Sequence, residues 1–382
     1  AFENIAGRRM SPSPFASFEV SRSPAAAAAA WAELEAVSPA TIYQTARFVR
    51  PWFDTLGREL GFAPLIFMAR DGAGKPAALL PLAERRLGPL RVAEFAGGKD
   101  SNANLPLVRS DLAPDAAAFA DWLRRAGREA GLDLFILLNQ PRRFADRDNP
   151  LTRLPSQDSP GGGHLCSLQP DGEAWFAARL SKDSRKKYRK KEAKLTQAAP
   201  LRVVSSADPG ETARILDAFF AQKLARFDAK HIVSNFERPS ARAFIEAGVA
   251  SGAVTLYGLD WGGRIVAPYG GGGHGGRFAA MFNSFEADEE IARSSPGDLL
   301  LFALIKACCA AHETAFDLGV GEARYKSAVC DLDEALADTI FAVTGRGRLA
   351  GPLYAAALRA KARIKADPRL MSWLARARAL RG

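Results

Sequence analysis

Phe316-Asp317-Leu318-Gly319-Val320-Gly321-Glu322-Ala323-Arg324-Tyr325-Lys326 is the densest run of chemically able side chains in the chain. Its apolar start, from Ala315 to Leu318, predicts a short central strand, and an acid followed by two glycines predicts that the strand opens at its carboxyl end. That edge is where α/β proteins place ligands. Asp317 or Glu322 can take a proton from an attacking nucleophile, Tyr325 can return one to a leaving group, and Lys326 can face a phosphate or an oxyanion. The alternative reading of the same residues is a loop tied by salt bridges.

Upstream, Leu299 to Ala311 is almost wholly apolar and predicts a buried helix. It is introduced by Arg293-Ser294-Ser295-Pro296-Gly297-Asp298, where Ser295 is placed to cap the helix, Pro296 suits its first position and Asp298 completes a capping-box pattern. Such a helix start is either an ordinary cap or a phosphate cradle, with Ser294, Ser295, Gly297 and Asp298 as its residues. Further back, Tyr269-Gly270-Gly271-Gly272-Gly273-His274-Gly275-Gly276 lacks the Lys-Ser/Thr ending of a phosphate loop and reads as a flexible hairpin connection.

The same order of elements occurs earlier. Strands at Leu65–Ala69 and Lys75–Ala83 flank the turn Asp71-Gly72-Ala73-Gly74, and a helix from Ala116 to Ala130 leads to a buried strand at Leu134–Leu138. In the second half, Val254–Leu259 and Arg264–Tyr269 flank Asp260-Trp261-Gly262-Gly263, a strand follows at Phe278–Phe285, and the apolar helix leads to the strand at Phe316. The two Asp-containing turns and the two Phe-centred strands are related by nearly the same offset, which predicts duplication of one α/β unit with a mixed sheet. The Pro/Gly/Ser-rich stretch from Pro155 to Gly163 has the composition of a connector.

A chain of 382 residues with 48% hydrophobic content is expected to form two cores. Its four cysteines and four histidines lack metal-ligand spacing, so no metal is expected, and a reduced, cytoplasmic protein without a signal peptide fits the composition. The net charge of +10 is concentrated in two places. One is the helix around Ser181–Lys194, with Lys186 and Arg189 among its phosphate-binding candidates; the other is Arg346–Gly382, where Asp367 is the only acid.

The combination of the basic helix Leu180–Leu195, Ser-Pro-Gly-Asp-Leu-Leu at 295–300, the apolar helix and Phe-Asp-Leu-Gly-Val-Gly-Glu-Ala-Arg-Tyr-Lys resembles the CelD-like branch of the GNAT acetyltransferases. That branch is named for a protein linked to bacterial cellulose biosynthesis and is similar in fold to the Fem-type aminoacyl transferases. The resemblance runs from about Phe15 to about Thr344 and is densest from Leu180 to Lys326. It implies two tandem GNAT-like domains; with the composition and spacing read above, these are expected at 25–163 and at 164–345, the second carrying the active site, after a flexible segment 1–24 and before a basic amphipathic segment 346–382. It implies acyl-CoA, such as acetyl-CoA, as co-substrate, with donor phosphates near Ser294–Asp298, and Tyr325 at the position of the family's general acid. The family's Gln/Arg-x-x-Gly-x-Gly/Ala loop is replaced here by Arg293–Gly297.

The acceptor is left open as a small molecule, a sugar or an amine. Two other readings stand beside the acyl-CoA enzyme. One is a Fem-like transferase using charged tRNA, which gives the basic helix a direct role. The other is a non-catalytic protein that holds an anionic polymer. The 346–382 segment is expected either to dock on the protein itself or to touch an anionic membrane.

Overall fold

The computed structural model describes residues 14–229, 234–321 and 326–366. The first half runs β1 (Ser17–Ser21), α1 (Ala28–Val37), α2 (Ala46–Asp54), α3 (Leu56–Glu59), β2 (Ala63–Arg70), β3 (Pro76–Leu87) and β4 (Leu90–Phe95). It continues with β5 (Leu107–Val108), α4 (Ala116–Glu129), β6 (Leu134–Pro141), a small ribbon of β7 (Arg143–Phe144) and β8 (Arg147–Asp148), and β9 (Ser156–Asp158). The second half runs β10 (Gly163–Ser167), α5 (Gly172–Arg179), α6 (Lys182–Ala198), β11 (Leu201–Ser205), α7 (Glu211–Asp228), α8 (Pro239–Ala250), β12 (Thr255–Trp261), β13 (Arg264–His274) and β14 (Arg277–Asn283). After it come α9 (Glu289–Ala292), α10 (Pro296–Ala310), β15 (Ala315–Val320), α11 (Lys326–Val329), β16 (Leu332–Glu334), β17 (Leu336–Ala342) and α12 (Gly345–Ala366).

Two mixed sheets share one plan. The first has the order β1-β2-β3-β4-β6-β17-β9 and the second β11-β12-β13-β14-β15-β10-β16. In each, four antiparallel strands are followed by one parallel pair, β4 with β6 and β14 with β15. The turn aspartates serve the same purpose in both halves. Asp71 Oδ1 accepts from Ala73 N and Lys75 N, at 2.9 and 3.0 Å, and Asp260 Oδ1 accepts from Gly263 N at 2.8 Å. Each is also paired at 2.8 Å with an arginine, Arg109 and Arg214 respectively.

The expected boundary at 163/164 does not separate the sheets. β17, near the end of the chain, lies between β6 and β9 in the first sheet, while β10, near the middle, lies between β15 and β16 in the second. Segment 1–24, expected to be flexible, also contributes β1, which pairs along β2 from Ser17↔Arg70 to Ser21↔Ile66 and lays Phe18 and Val20 against the first core.

One large apolar cluster packs the helices of the first half against those of the second. It packs Trp31, Phe48, Trp52 and Phe53 against Ile215, Leu216, Phe219 and Phe244, and the Phe48 and Phe244 rings meet edge-on at 5.5 Å. Arg47 ties the seam from the first half by donating to Gly252 O at 2.8 Å and Gly273 O at 2.6 Å.

The glycine run reads differently in the structure. Gly270–Gly273 are not a flexible connection but part of β13, and only Gly275 and Gly276 make the turn. The absence of side chains lets β13 press against its neighbours: a Cβ on Gly272 would sit 2.1 Å from Ala253 O, with Ile42 of the first half 3.3 Å away. Gly272→Ala is therefore expected to destabilise the protein by about 1–3 kcal/mol, since backbone has to yield. Urea denaturation measures this, and an unchanged midpoint would mean that the seam is looser than described.

Candidate functional site

Beyond the pairs Phe278↔Phe316 and Ala279↔Asp317, β14 and β15 no longer pair, although β14 continues to Asn283 and β15 to Val320. The sheet splays into a V. On one side of it β14 carries an irregularity in its pairing with β13, where Gly270 faces Phe282 but Gly271 faces Ala280. The first sheet opens in the same way after Glu94↔Ile136.

The two gaps are finished differently. In the first, Asn104 closes the strand end: its N–H donates to Asn139 O at 2.9 Å and its Nδ2 to Leu138 O at 3.0 Å. When Phe135 is matched to Phe316, those carbonyls correspond to Gly319 and Val320, and there the donor is Lys326 Nζ, at 3.0 and 3.2 Å. The first copy thus fills its gap with a neutral loop residue, whereas the second brings a buried ammonium to the equivalent place. Glu322 and Tyr325 lie outside the described residues.

Asp317, a candidate base, is committed to a buried network. Its Oδ2 accepts from Arg277 Nη2 at 2.7 Å and Nε at 3.1 Å, and its Oδ1 accepts from Gly319 N at 2.7 Å. Arg277 also donates to both oxygens of Glu334, at 2.9 and 2.8 Å, and is itself only 6% exposed. Burial works against the guanidinium charge, but Glu334 and Asp317 outweigh it and hold its pKa above the usual arginine value. Held by three fixed N–H donors, Asp317 shapes the strand end and is poorly placed to abstract a substrate proton.

The first half reaches this network. Tyr43 is buried and hydrogen-bonded to Asn102, and burial together with the Asp317 charge pushes its phenol pKa up. Asn102 lies against the splayed strand, its Nδ2 3.5 Å from where a Cβ on Gly319 would be. The Phe144 ring of the β7–β8 ribbon lies 5.7 Å from the Arg277 guanidinium. The loop Gly97–Asn104 therefore sits between the two halves.

A cavity of about 460 Å³ opens between the ends of α7 and β14 and the start of α10, lined by Lys223, Arg226, Tyr269, Asn283, Gly297 and Asp298 among others. Pro296 does occupy the first helical position, as expected. The capping box does not form: Ser295 has φ 49° and ψ 59°, a left-handed conformation, and makes no side-chain cap. Its Oγ instead accepts from Lys191 Nζ of α6 at 2.6 Å, while Ser294 is buried. Burial raises the Asp298 pKa, and the Lys191 charge partly offsets this.

Helix α6 meets α10 through Tyr188, whose hydroxyl donates to Leu299 O at 3.3 Å and whose ring packs with Phe176 and Phe302. This face brings Lys191 to the helix start and leaves Lys186 and Arg189 exposed. Lys191 was legible in principle, because it follows Tyr188, the one aromatic residue of α6, by a helical turn.

Lys223 sits among the rings of Phe219, Phe227 and Phe236, with Nζ 5.2 to 5.8 Å from their centres, and donates to Asn283 O at 3.1 Å. Burial, followed by repulsion from Arg226, lowers its pKa to about 8. Between that value and the unfolded value of about 10.4, the unfolded chain holds a proton that the folded chain has released, so stability rises with pH across this window. Lys223→Met is expected to raise the denaturation midpoint at pH 7 and to lose most of that advantage at pH 10. An equal gain at both pH values would show that the lysine is not strained by its surroundings.

Among the described residues, no group of three His, Cys, Asp or Glu side chains is arranged to hold a metal ion.

Residues 182–327 match the family model of the acetyltransferase (GNAT) domain. No curated protein matches the chain in sequence. Among solved structures, the chain is similar to FemX, with a TM-score of 0.60 at 9% identity over 84% of this chain and 97% of that one. It is also similar to the C-terminal domain of a protein from Agrobacterium fabrum named for lysylphosphatidylglycerol synthesis, with a TM-score of 0.55 at 14% identity over 88% of this chain and 97% of that one. These likenesses establish the fold: the chain is a mixed α/β protein with a GNAT-like architecture, and its second half holds a GNAT-type acetyltransferase domain.

Proposed function

We propose that the protein transfers an acyl group from an acyl-CoA thioester, acetyl-CoA being the simplest, to an amine or hydroxyl acceptor, and that the second sheet is where this happens. The observation that carries the reading is the β14/β15 splay opening beside the start of α10 and the cation-lined cavity. The acceptor nitrogen or oxygen attacks the thioester carbonyl directly, the tetrahedral intermediate collapses, and the thiolate leaves and takes up a proton. Glu322 is the base in this proposal and Tyr325 the acid. The proposal passes over Asp317 as base because it is paired with Arg277 at 2.7 Å. Lys326 holds the strand end in place by its bonds to Gly319 O and Val320 O. Lys191, with Ser294, Ser295, Gly297 and Asp298, frames the donor's phosphate end, and Lys186 and Arg189 add a more distant positive field.

The resemblance to the CelD-like branch suggests a sugar or amine of an envelope polymer as the acceptor class, and the four free cysteines suit a cytoplasmic site of action. The test is thermal unfolding with coenzyme A, acetyl-CoA and longer acyl-CoA species at low and moderate salt. A ligand at 100 times its dissociation constant adds about 2.7 kcal/mol. A salt-tolerant shift supports the thioester reading, and its dependence on acyl length reports the donor. No shift with any thioester would reject it.

One observation favours a second donor. Lys182, Lys186, Lys187, Arg189, Lys190 and Lys194 are all exposed on α6, more positive charge than one diphosphate at α10 requires. Charged tRNA, the donor of the Fem-type enzymes, would use such a face. Activity in extracts that ribonuclease abolishes would select this reading, and salt-sensitive RNA binding without transfer would instead indicate a binding protein.

A further inference from the structure

Helix α12 presents two different faces. Gly347 and Gly351 are buried, and Tyr354, Ala355, Leu358 and Ala362 continue the same inner side. Tyr354 packs on Val92, Leu134 and Ile136 of the first sheet. Gly347 is needed for this approach, since a Cβ there would lie 1.9 Å from Asp133 O, whereas one on Gly351 would meet Ile340 and Leu134 at an ordinary 3.5 Å.

The outer side is apolar as well. Leu349 is 77% exposed, Leu353 73% and Ile364 38%, and exposed Ala356 and Ala360 join them at helical spacing into one stripe. Arg346, Arg348, Lys361 and Arg363 are exposed beside it, while Arg359, also exposed, donates to Gln157 Oε1 at 2.6 Å. The helix contains no acidic residue, and from Arg346 to the end of the chain Asp367 is the only one.

We infer that α12 is a membrane-docking helix, which lays Leu349, Leu353 and Ile364 among the acyl chains of an anionic bilayer surface while its arginines and lysines meet lipid phosphates. The charge pattern selects this occupant. A second copy of the chain would set the same cations against each other with no carboxylate to offset them. A nucleic acid would satisfy the cations and leave the leucines in water. An anionic bilayer satisfies both at once, because an interfacial helix needs an apolar face and a cationic flank. Among the described residues no helix is long and apolar enough to cross a membrane, so the contact is peripheral. The inference does not depend on the donor or acceptor of the transfer reaction.

The experiment is co-sedimentation of the full chain with vesicles of phosphatidylcholine alone and of equal parts phosphatidylcholine and phosphatidylglycerol. The expected result is binding to the anionic vesicles that weakens as salt is raised, with little binding to the neutral ones. Leu349→Ser/Leu353→Ser should weaken it by about tenfold or more, and Lys361→Glu/Arg363→Glu should weaken it and reduce its salt dependence. These side chains are exposed, so the variants should unfold at the same midpoint as the parent. Failure of the full chain to bind anionic vesicles overturns the inference, as does binding that both double variants retain in full. Concentration-dependent dimerisation abolished by Leu349→Ser/Leu353→Ser also overturns it, in favour of a second copy on the stripe.

Discussion

Produced separately, residues 1–163 and 164–382 each fail to unfold cooperatively. The first piece lacks β17, which pairs with β6 from Leu336↔Pro141 to Ala342↔Leu134 and with β9 on its other side. Without it β6 becomes an open edge, and Phe135 loses Phe341, whose ring lies 6.3 Å away. The second piece keeps most of β10 but loses α1 and α2, which exposes Ile215, Phe219 and Phe244 of the shared cluster. Each loss removes several fully buried side chains, at about 1.5–3 kcal/mol apiece, from a chain whose whole margin is about 5–15 kcal/mol. Circular dichroism with urea titration of each piece is the check. A sigmoidal, monomeric transition in residues 1–163 would show that the first sheet stands without the exchanged strand.

Arg277→Met destabilises the intact protein by about 3–5 kcal/mol, the cost of removing one partner from a buried ionic cluster. The loss leaves the carboxylates of Asp317 and Glu334, 2% and 16% exposed as side chains, facing each other without a cation. It also frees the alignment of β14, β15 and β16, the three strands that these residues join. Arg277→Lys recovers only part of the loss, because a point charge cannot bond both carboxylates in the plane of a guanidinium. A triple change of Arg277, Asp317 and Glu334 to apolar residues of similar volume should be far milder than the single one, since it removes the charges together. If Arg277→Met shifts the midpoint by less than about 1 kcal/mol, water must reach this cluster.

Local pattern carried much of the architecture. The alternating strands around Asp71 and Asp260, the apolar helix ending at Ala310 and the Phe-centred strands were readable because each is decided by neighbours within a few residues. The strand exchange was not. The strand at Leu336–Ala342 had no reading from the sequence, and its partner lies about two hundred residues away, beyond the reach of periodicity. The site was partly legible for a similar reason. Asp317 and Lys326 stood out by type, but that Arg277 claims Asp317 depends on the register Ala279↔Asp317, which only the folded sheet sets. Ser295 looked like a cap because its residue type and spacing fit; the tight reversal after α9 gives it a left-handed backbone and turns its hydroxyl to Lys191.

The late arrival of β17 has a consequence for how the chain is made. β6 leaves the ribosome long before Leu336 does, and at about 5–20 residues per second the interval is on the order of ten to forty seconds. Through that time the nascent first sheet offers an unpaired strand edge bearing Phe135 and Leu137 to whatever is nearby. Translation speed and chaperone occupancy over the second half, more than the finished molecule's stability, should then govern how much of this protein a cell recovers in soluble form.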